Sequence, residues 1–544
     1  MFGLKEKINK ELILVILIFL LATVLRFYKL GKNPPSLTWD EVALGYNAWS
    51  IIHTGKDEYG NFLPLKFKSF DDDKQPVYVY LAAISEKIFG LNEIGVRFPS
   101  AFLGTLTVVF FYFLLDLLFK DKKISIIGTF LLAINPWHIS FSRAAFETNV
   151  GVFFLTAGFY FLLEALKIPY FYLLSAPFLA FSVYSYYTPR IVVFFILVTF
   201  LLFYWKELIR HKKWVVFAFV LGLVLVSPLL FQLLHGDSAR LGYLSIFTHQ
   251  RKLAEDYSQE IVNKNNSIWA RIIYNRRVAY FWQFSENYLK SFSPDFLFIN
   301  GLDSGGLFYL WEVITITLGF YLVWQEKNKS KFLLFSWFFS VPIVGGLSIG
   351  SPNAFRNLAN VPVFVIFNSL GLSKIIDYLK DNKLIKRISL SIFCVVIFFF
   401  FVRFLVLYFD YLPPRIALSW GDGYKQLAEA LENLQDEYDR ILVTGKYWRP
   451  YIHLLFHLKY PPDKYLKERG NNRGFANFLF GKAEWDLEGL DLGQVDLTKL
   501  KKGKTLVVLS PDEYNKQKER GIGFKLIETV YGRYTKEVFV ILEI

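Results

Sequence analysis

The stretch from Ser36 to Tyr46 holds two adjacent carboxylates, Asp40 and Glu41, just after the first long apolar run of the chain. A carboxylate held in one position beside a bilayer can bind a cation or accept a proton. A solvated loop also commonly contains an Asp-Glu pair, so the pair alone does not identify a site. It gains weight because nearly every other polar cluster falls on the same predicted side of the membrane.

The composition is that of a protein with many membrane-spanning helices. The chain has 544 residues, 54% of them hydrophobic and 19% aromatic, and its mean hydropathy is +0.33. These values are too apolar for a soluble protein. The formal charge of +14 does not indicate nucleic-acid binding, because the basic residues lie mainly in short loops between apolar runs. The one cysteine, Cys394, excludes an internal disulfide.

Apolar runs long enough to cross a bilayer predict about eleven spans of roughly 20 residues each. They are Leu12–Phe27, Phe98–Leu115, Ile124–Ser142, Val150–Leu163, Ile168–Thr188, Ile191–Trp205, Trp214–Leu234, Leu307–Trp324, Phe332–Ile349, Leu358–Leu372 and Ile388–Tyr408. The run Pro76–Phe89 is shorter and contains Glu86 and Lys87, which favours a helix lying at the interface. No small-residue cleavage site follows the first run, so we expect an uncleaved first span.

Loop charge predicts the orientation. If Pro76–Phe89 does not cross, every inner connection is short and has a surplus of positive charge, as inner loops should. These connections are Lys120–Lys123, Lys167, Lys206–Lys213, Lys327–Lys331 and Lys374–Arg387. The prediction is an N-terminus inside and a C-terminal region outside.

The hydropathy changes after Tyr408, and Leu412-Pro413-Pro414 marks a linker. We therefore predict a transmembrane domain over residues 1–410 and a soluble domain over 411–544. In the second, Gly423–Leu434 has helical spacing, and three runs have strand character: Arg440–Thr444, Thr505–Leu509 and Glu537–Ile544. The predicted fold class is mainly α, a polytopic membrane protein with outer juxtamembrane helices and a small C-terminal extracytoplasmic α/β domain.

This topology gathers both signs of charge on the outer face, whereas the inner face holds mostly lysine. The outer clusters are Asp40-Glu41, Asp71–Lys74, Arg97, Arg143 with Glu147 and Asn149, Tyr184–Arg190, the loop His235–Gly306, and Ser351–Arg356. The asymmetry predicts a reaction site at the outer leaflet. A single charged residue at the end of a span is weaker evidence, because such side chains often only reach for the headgroups.

Several motifs together resemble the membrane glycosyltransferases of the C superfamily, of the protein O-mannosyltransferase and aminoarabinose transferase type. They are Trp39-Asp40-Glu41 with Gly45, Asp72-x-Lys74-x-Pro76-Val77-Tyr78, Gly95-Val96-Arg97-x-Pro99-Ser100, Asn135–His138 through Ser142-Arg143 and Glu147, and Phe292–Phe298. The resemblance covers most of the membrane region and weakens in the C-terminal part. It implies a hexosyl- or pentosyltransferase of a prokaryotic plasma membrane. The enzyme would use a polyprenyl-phosphate or dolichyl-phosphate sugar and a glycan, lipid or protein acceptor, with its active site on the extracytoplasmic side.

The resemblance also implies roles for single residues. The family's acidic positions correspond to Asp40, Glu41 and Glu147, and its donor-phosphate lysine corresponds to Lys74. A phosphate-linked sugar already has a good leaving group, so the reaction needs a base for the acceptor and positive charge for the phosphate. Asp40 is the candidate base, and Glu41 orients it or holds a cation. Direct displacement by this route inverts the anomeric centre.

Four cations are candidates for the phosphate: Lys74, Arg97, Arg143 and Arg190. Arginine suits this task because its guanidinium can make two parallel contacts. Each arginine could equally be an interface anchor without a chemical role.

Some members of the resembled family bind a divalent metal through a histidine of the long loop. The candidate ligands here are Asp40, Glu41, Asp72 and His249, with His235 as the alternative histidine. Asp72 is chosen from the run Asp71–Asp73 by its spacing to Lys74, and neither histidine lies in a metal-binding motif.

The sequence allows two alternatives. The aromatic segment Trp269–Phe298 could cover the site or be an interfacial belt. The chain could instead be a transporter or flippase of lipid-linked saccharides, but transporters tend to place ionisable residues at mid-membrane and to show repeats. The charges here gather at one interface and no repeat is visible, which favours the enzyme. A receptor or structural protein would leave the outer carboxylates unexplained.

Overall fold

The structure is a computed structural model that describes residues 2–70, 72–234, 245–249, 268–273, 275–378, 383–469, 473–481, 491–494, 497, 503–521 and 523–544. His235 lies outside the described residues, as do the side chains of Asp72 and His249. Contacts divide the chain into two compact units. The first unit is Met1–Tyr28, Ser100–Ser142 and Phe146–Phe404, and the second is Lys29–Pro99, Arg143–Ala145 and Leu405–Ile544.

Helices dominate the described chain. The first ten are α1 (Phe2–Phe27), α2 (Trp39–Thr54), α3 (Pro76–Phe89), α4 (Glu93–Phe119), α5 (Lys122–Ile134), α6 (Pro136–Ser142), α7 (Glu147–Glu164), α8 (Phe171–Ser185), α9 (Tyr187–Arg210) and α10 (Lys212–Leu234). Further helices are Ile246–His249, Ile268–Ile273, Arg276–Lys290, Pro294–Phe298, Glu312–Gln325, Ser330–Gly346, Ala354–Asn357, Val361–Tyr378 and Lys383–Val406. The predicted mainly α class is confirmed.

Among the described residues, five helices are long and apolar enough to cross a membrane, which fits an integral membrane protein. A sixth span is possible if α5 and α6, bent by 56° at Asn135, cross together. Each of the eleven predicted runs contains a helix, but the number of crossings stays a prediction. Helix α3 has 14 residues and is thus about 21 Å long, too short for a hydrocarbon core of roughly 30 Å.

Glycines allow the closest helix packing in the first unit. Helices Glu312–Gln325 and Val361–Tyr378 pack together. A Cβ atom added at Gly319 would collide with the carbonyl oxygen of Phe367, and one at Gly371 would collide with that of Thr315. Small residues let backbones approach where lipid provides no hydrophobic driving force. The same interface has a buried polar contact, in which Asn368 Nδ2 donates to Glu312 Oε1 at 2.5 Å.

The second unit begins with α2, which packs against α3 and against the helix Pro450–His457. A short antiparallel hairpin of β1 (Phe67–Ser69) and β2 (Asp72–Lys74) precedes α3. The hydroxyl of Tyr46 on α2 donates to the carbonyl of Tyr460 at 3.0 Å. Residues distant in sequence therefore pack in one unit.

A five-stranded sheet forms the other part of this unit, in the order β4-β3-β5-β7-β6. The strands are β3 (Arg440–Val443), β4 (Phe478–Phe480), β5 (Thr505–Leu509), β6 (Lys525–Tyr531) and β7 (Glu537–Glu543). Strand β3 is parallel to β4 and β5, while β7 is antiparallel to β5 and β6. Helices of this region are Leu412–Ile416, Tyr424–Leu434, Pro450–His457, Pro462–Glu468 and Pro511–Glu519.

The predicted helix 423–434 and the three predicted strand runs coincide with elements of this region. A boundary at 410/411 and an independent soluble domain stay predictions.

Candidate functional site

A capping box fixes the start of α2. The Thr38 hydroxyl accepts a hydrogen bond from the backbone N–H of Glu41 at 3.3 Å, and Glu41 Oε2 accepts one from the N–H of Thr38 at 3.1 Å. Each bond satisfies a backbone donor that the first turn would leave unpaired. The spacing Thr38-x-x-Glu41 is itself a sequence signal for such a cap. Asp40 lies in the same first turn, so the cap also positions its carboxylate.

Glu41 forms a fully buried ion pair with Arg97. Arg97 Nε donates to Glu41 Oε1 at 2.8 Å, and Arg97 Nη2 donates to Oε2 at 3.0 Å. Both side chains have no exposed surface. The backbone N–H of Ala145 also donates to Glu41 Oε1 at 2.9 Å. Together with the N–H of Thr38, four donor atoms satisfy the carboxylate of Glu41. A buried charge requires such partners.

Arg97 also holds the loop before α2. Its Nη1 donates to the carbonyls of Leu30 at 3.2 Å and Pro34 at 2.9 Å, and its Nη2 donates to that of Ser36. The buried guanidinium of Arg97 therefore holds both the backbone of this loop and the carboxylate of Glu41 in place.

Asp40 is placed differently from its neighbour. It forms an ion pair with Lys74, whose side chain is 3% exposed, whereas the side chain of Asp40 is 45% exposed. Lys74 Nζ also lies 4.8 Å from the ring centroid of Phe70, within cation–π range. Asp40 and Lys74 therefore form an ion pair that is open to solvent on its acidic side.

Arg143 is the remaining predicted cation of the second unit. Its Nη2 donates to the carbonyl of Asn33 at 2.9 Å, and its guanidinium lies 4.8 Å from the Phe409 ring and 5.6 Å from the Tyr408 ring. The side chain is fully buried. The hydropathy pattern gave no sign of these aromatic partners.

Glu147 and Arg190 belong to the first unit. Glu147 begins α7 and is 9% exposed. Arg190 interacts electrostatically with Glu147, donates from Nε to the carbonyl of Val183 at 3.1 Å, and lies 4.6 Å from the Tyr187 ring. These two predicted residues are therefore near one another.

The predicted metal ligands are only partly described. Asp40 and Glu41 are each paired with a cation, which is the neutralisation that a metal would otherwise supply. Within the described ranges, no group of three or more His, Cys, Asp and Glu side chains could hold a metal ion. A metal bound through Asp72 and His249 stays a prediction.

Comparison with known proteins finds a family match over part of the chain. Residues 73–231 match the family model described as dolichyl-phosphate-mannose-protein mannosyltransferase. A polyprenol-phosphate-mannose–protein mannosyltransferase of Mycobacterium tuberculosis is 31% identical over 147 residues, which are 26% of this chain and 27% of that protein. The chain matches about a quarter of the length of its curated relatives.

Two solved structures are similar over much more of the chain. ArnT from Cupriavidus metallidurans has a TM-score of 0.56 and 11% identity, covering 99% of this chain and 98% of that one. The oligosaccharyltransferase of Archaeoglobus fulgidus, in complex with Zn and sulfate, has a TM-score of 0.51 and 14% identity, covering 82% and 61%. The chain therefore shares the fold of these two proteins.

Proposed function

We propose that this integral membrane protein is a glycosyltransferase that moves a sugar from a polyprenyl-phosphate donor to an acceptor hydroxyl on the extracytoplasmic side. The observation that carries the proposal is the pair of Asp40, open to solvent, and Lys74, buried beneath it. The matched family model and the mycobacterial relative are both described as using a prenyl-phosphate-linked mannose. ArnT, which shares the fold, has been solved with undecaprenyl phosphate bound.

The pair supplies the two functions that the reaction needs. The acceptor oxygen attacks the anomeric carbon, the bond from that carbon to the phosphate oxygen breaks, and the acceptor proton passes to Asp40. The lipid phosphate leaves with one more negative charge than it had in the donor. Protonation neutralises Asp40, so its attraction for Lys74 weakens at the moment when the phosphate gains charge. Lys74 can then stabilise the leaving phosphate, and the displacement inverts the anomeric centre.

Glu41 and Arg97 position this pair. Glu41 has four donors and no exposed surface, so it is a poor candidate for a proton acceptor. Arg97 is equally enclosed, which favours a positioning role over direct phosphate contact. Arg143, Glu147 and Arg190 remain candidates for the phosphate or the acceptor.

Several finer features belong to the same proposal: eleven crossings, a domain boundary near residue 410, and a prokaryotic plasma membrane. A divalent metal at Asp72 and His249 is also kept as a proposal, and no step of the reaction is assigned to it. The transporter alternative gains no support from the comparisons.

The proposal is tested by offering purified protein in liposomes a set of isotope-labelled polyprenyl-phosphate sugars together with membrane glycan, lipid and protein fractions. Mass spectrometry then searches each fraction for labelled sugar. Transfer of one sugar with release of polyprenyl phosphate is the expected result. Movement of intact donor across the bilayer without bond cleavage would instead support a flippase.

A further inference from the structure

Resting on the proposed function, we infer that Arg449, from the C-terminal part of the second unit, is a donor-phosphate-binding residue that acts together with Lys74. Arg449 lies in none of the motifs that carry the family resemblance. Three observations support this role. Contacts link Arg449 to Lys74 and Asp40, the linked side chains include two cations, and the backbone at Arg449 has an unusual conformation.

The contacts begin at Lys74, the lysine proposed to bind the donor phosphate. Lys74 pairs with Asp40, and its Nζ lies 4.8 Å from the ring centroid of Phe70. The guanidinium carbon of Arg449 lies 5.4 Å from the same centroid. One aromatic ring therefore has two cations within cation–π range, and the two distances limit how far apart the cations can be.

Two tryptophans connect Arg449 back to Asp40. Trp448, next to Arg449 in sequence, stacks on Trp39 with ring centroids 5.5 Å apart and planes at 28°. Trp39 immediately precedes Asp40. Asp40, Lys74, Phe70, Arg449, Trp448 and Trp39 thus form a ring, linked by four side-chain contacts and two peptide bonds. We call this set the Asp40 ring.

Phe70 is held in place from the C-terminal side as well. Its backbone N–H donates to the hydroxyl of Tyr451 at 3.1 Å, and its own ring is 5% exposed. Tyr451 follows Arg449 by two residues, so the segment that provides the cation also fixes the ring on which that cation lies.

The charge of the Asp40 ring suits a leaving phosphate. Of the side chains in the ring, Asp40 is acidic, and Lys74 and Arg449 are cationic. A donor phosphodiester gains one negative charge when its bond to the sugar breaks. Lys74 is paired with Asp40 before the reaction, and a second cation near it adds to the attraction for the donor phosphate. Arg449 is partly exposed, and a guanidinium can contact two phosphate oxygens at once.

The backbone at this point is unusual. Trp448 and Arg449 have φ values of 67° and 50°, the left-handed region that favours glycine. Two consecutive large residues in this region are held there by surrounding contacts, and such strained positions cluster at functional sites. With this backbone, Trp448 stacks on Trp39 and the guanidinium of Arg449 lies near the ring of Phe70.

The test compares Arg449→Ala, Arg449→Lys and Arg449→Gly with Lys446→Ala. Lys446 is a matched control, because it lies in the same loop but pairs with Asp512 at 2.5 Å. Arg449→Gly removes the charge while fitting the left-handed backbone, and circular dichroism checks the fold of each variant. Binding of a short-chain prenyl phosphate is measured by calorimetry, with the prenyl alcohol of equal length as the uncharged probe. Donor and acceptor KM are measured wherever transfer is detected.

We expect Arg449→Ala and Arg449→Gly to weaken prenyl phosphate binding about ten- to a hundredfold, the effect of losing a hydrogen bond to a charged group. Arg449→Lys should lose less, while prenyl alcohol binding, acceptor KM and Lys446→Ala stay unchanged. The inference would be wrong if Arg449→Gly bound prenyl phosphate as well as wild type, or if only the acceptor KM changed. Neither result would contradict the proposed transfer activity. Wild-type protein that binds prenyl phosphate through Arg449 but transfers no sugar would instead refute the proposed function. Absence of any prenyl phosphate binding would overturn the inference directly.

Discussion

At the scale of residues, two neighbouring carboxylates have opposite environments. The side chain of Asp40 is 45% exposed, and that of Glu41 is fully buried in a pair with Arg97. Successive residues of a helix point about 100° apart, so the first turn of α2 directs one carboxylate outward and the other inward. Sequence alone could indicate the acidic pair but not which member remains accessible, since that depends on Arg97 and Ala145, far along the chain.

Arg97 should be required for stability before it matters for binding. Removing one partner of a buried ion pair leaves the other charge uncompensated, so Arg97→Ala should cost about 3–5 kcal/mol of unfolding free energy. Thermal unfolding in detergent measures this loss. Lys122→Ala is the control, because Lys122 and Asp116 form a partly exposed pair worth about 1 kcal/mol or less. An Arg97→Ala protein of normal stability that fails to bind donor would show that Arg97 contacts the phosphate instead.

Glu58 should make stability depend on pH. Burial raises the pKa of Glu58 to about 7, so the folded state keeps its proton where the unfolded state has lost it. The contribution of protonated Glu58 to the free energy of unfolding is complete below about pH 4.5. It falls by roughly 3 kcal/mol as the pH rises to about 7. Glu58→Gln should flatten the fall in melting temperature between pH 5 and 8, whereas exposed Glu432→Gln should not. If melting temperature fell equally with pH in Glu58→Gln and wild type, the raised pKa of Glu58 would be contradicted.

At the scale of elements, local patterns predicted the long helices well. Each apolar run contains a helix, since the length of an apolar stretch is a local property. Strands β1, β2, β4 and β6 were not predicted. The first three are three residues long and β6 has seven residues, and each is completed by pairing with another strand. The stack of Trp39 on Trp448 could not be predicted for the same reason, because it joins distant segments.

Helix packing in the first unit gives a matched test with glycines. Gly319→Ala should destabilise the protein strongly, because the added Cβ collides with the backbone of Phe367. Gly222→Ala should be neutral or slightly stabilising, because its Cβ meets only Ala176 Cβ at 3.9 Å. Folded yield and melting temperature in detergent compare the two. Equal values for both variants would refute the close packing at Gly319.

At the scale of the whole molecule, the contact units differ from the linear division that hydropathy predicts. Residues 29–99 and 143–145 belong to the same unit as Leu405–Ile544. A hydropathy profile separates apolar from polar stretches, so it places a boundary near residue 410. It cannot show that residues 29–99 pack in one unit with the C-terminal strands and helices.

The predicted orientation can be tested by cysteine labelling. After Cys394 is replaced by serine, single cysteines are introduced at Ile209 and Phe480. A membrane-impermeant maleimide added to intact cells should label position 480 and leave position 209 unlabelled until the membrane is opened, because basic inner loops stay inside. Labelling of 209 but not 480 from outside would reverse the orientation and move the site to the inner face.

The central claim is that Asp40 accepts the acceptor's proton, and Asp40→Asn tests it most directly. Asparagine keeps the size and much of the hydrogen bonding but cannot take the proton. Turnover of labelled polyprenyl-phosphate sugar in liposomes should fall by roughly 10² to 10⁴, the range for losing a general base. Prenyl phosphate binding should change far less, and circular dichroism should confirm the fold. A folded Asp40→Asn protein with near-normal turnover would contradict the account and leave Glu147 as the next candidate base.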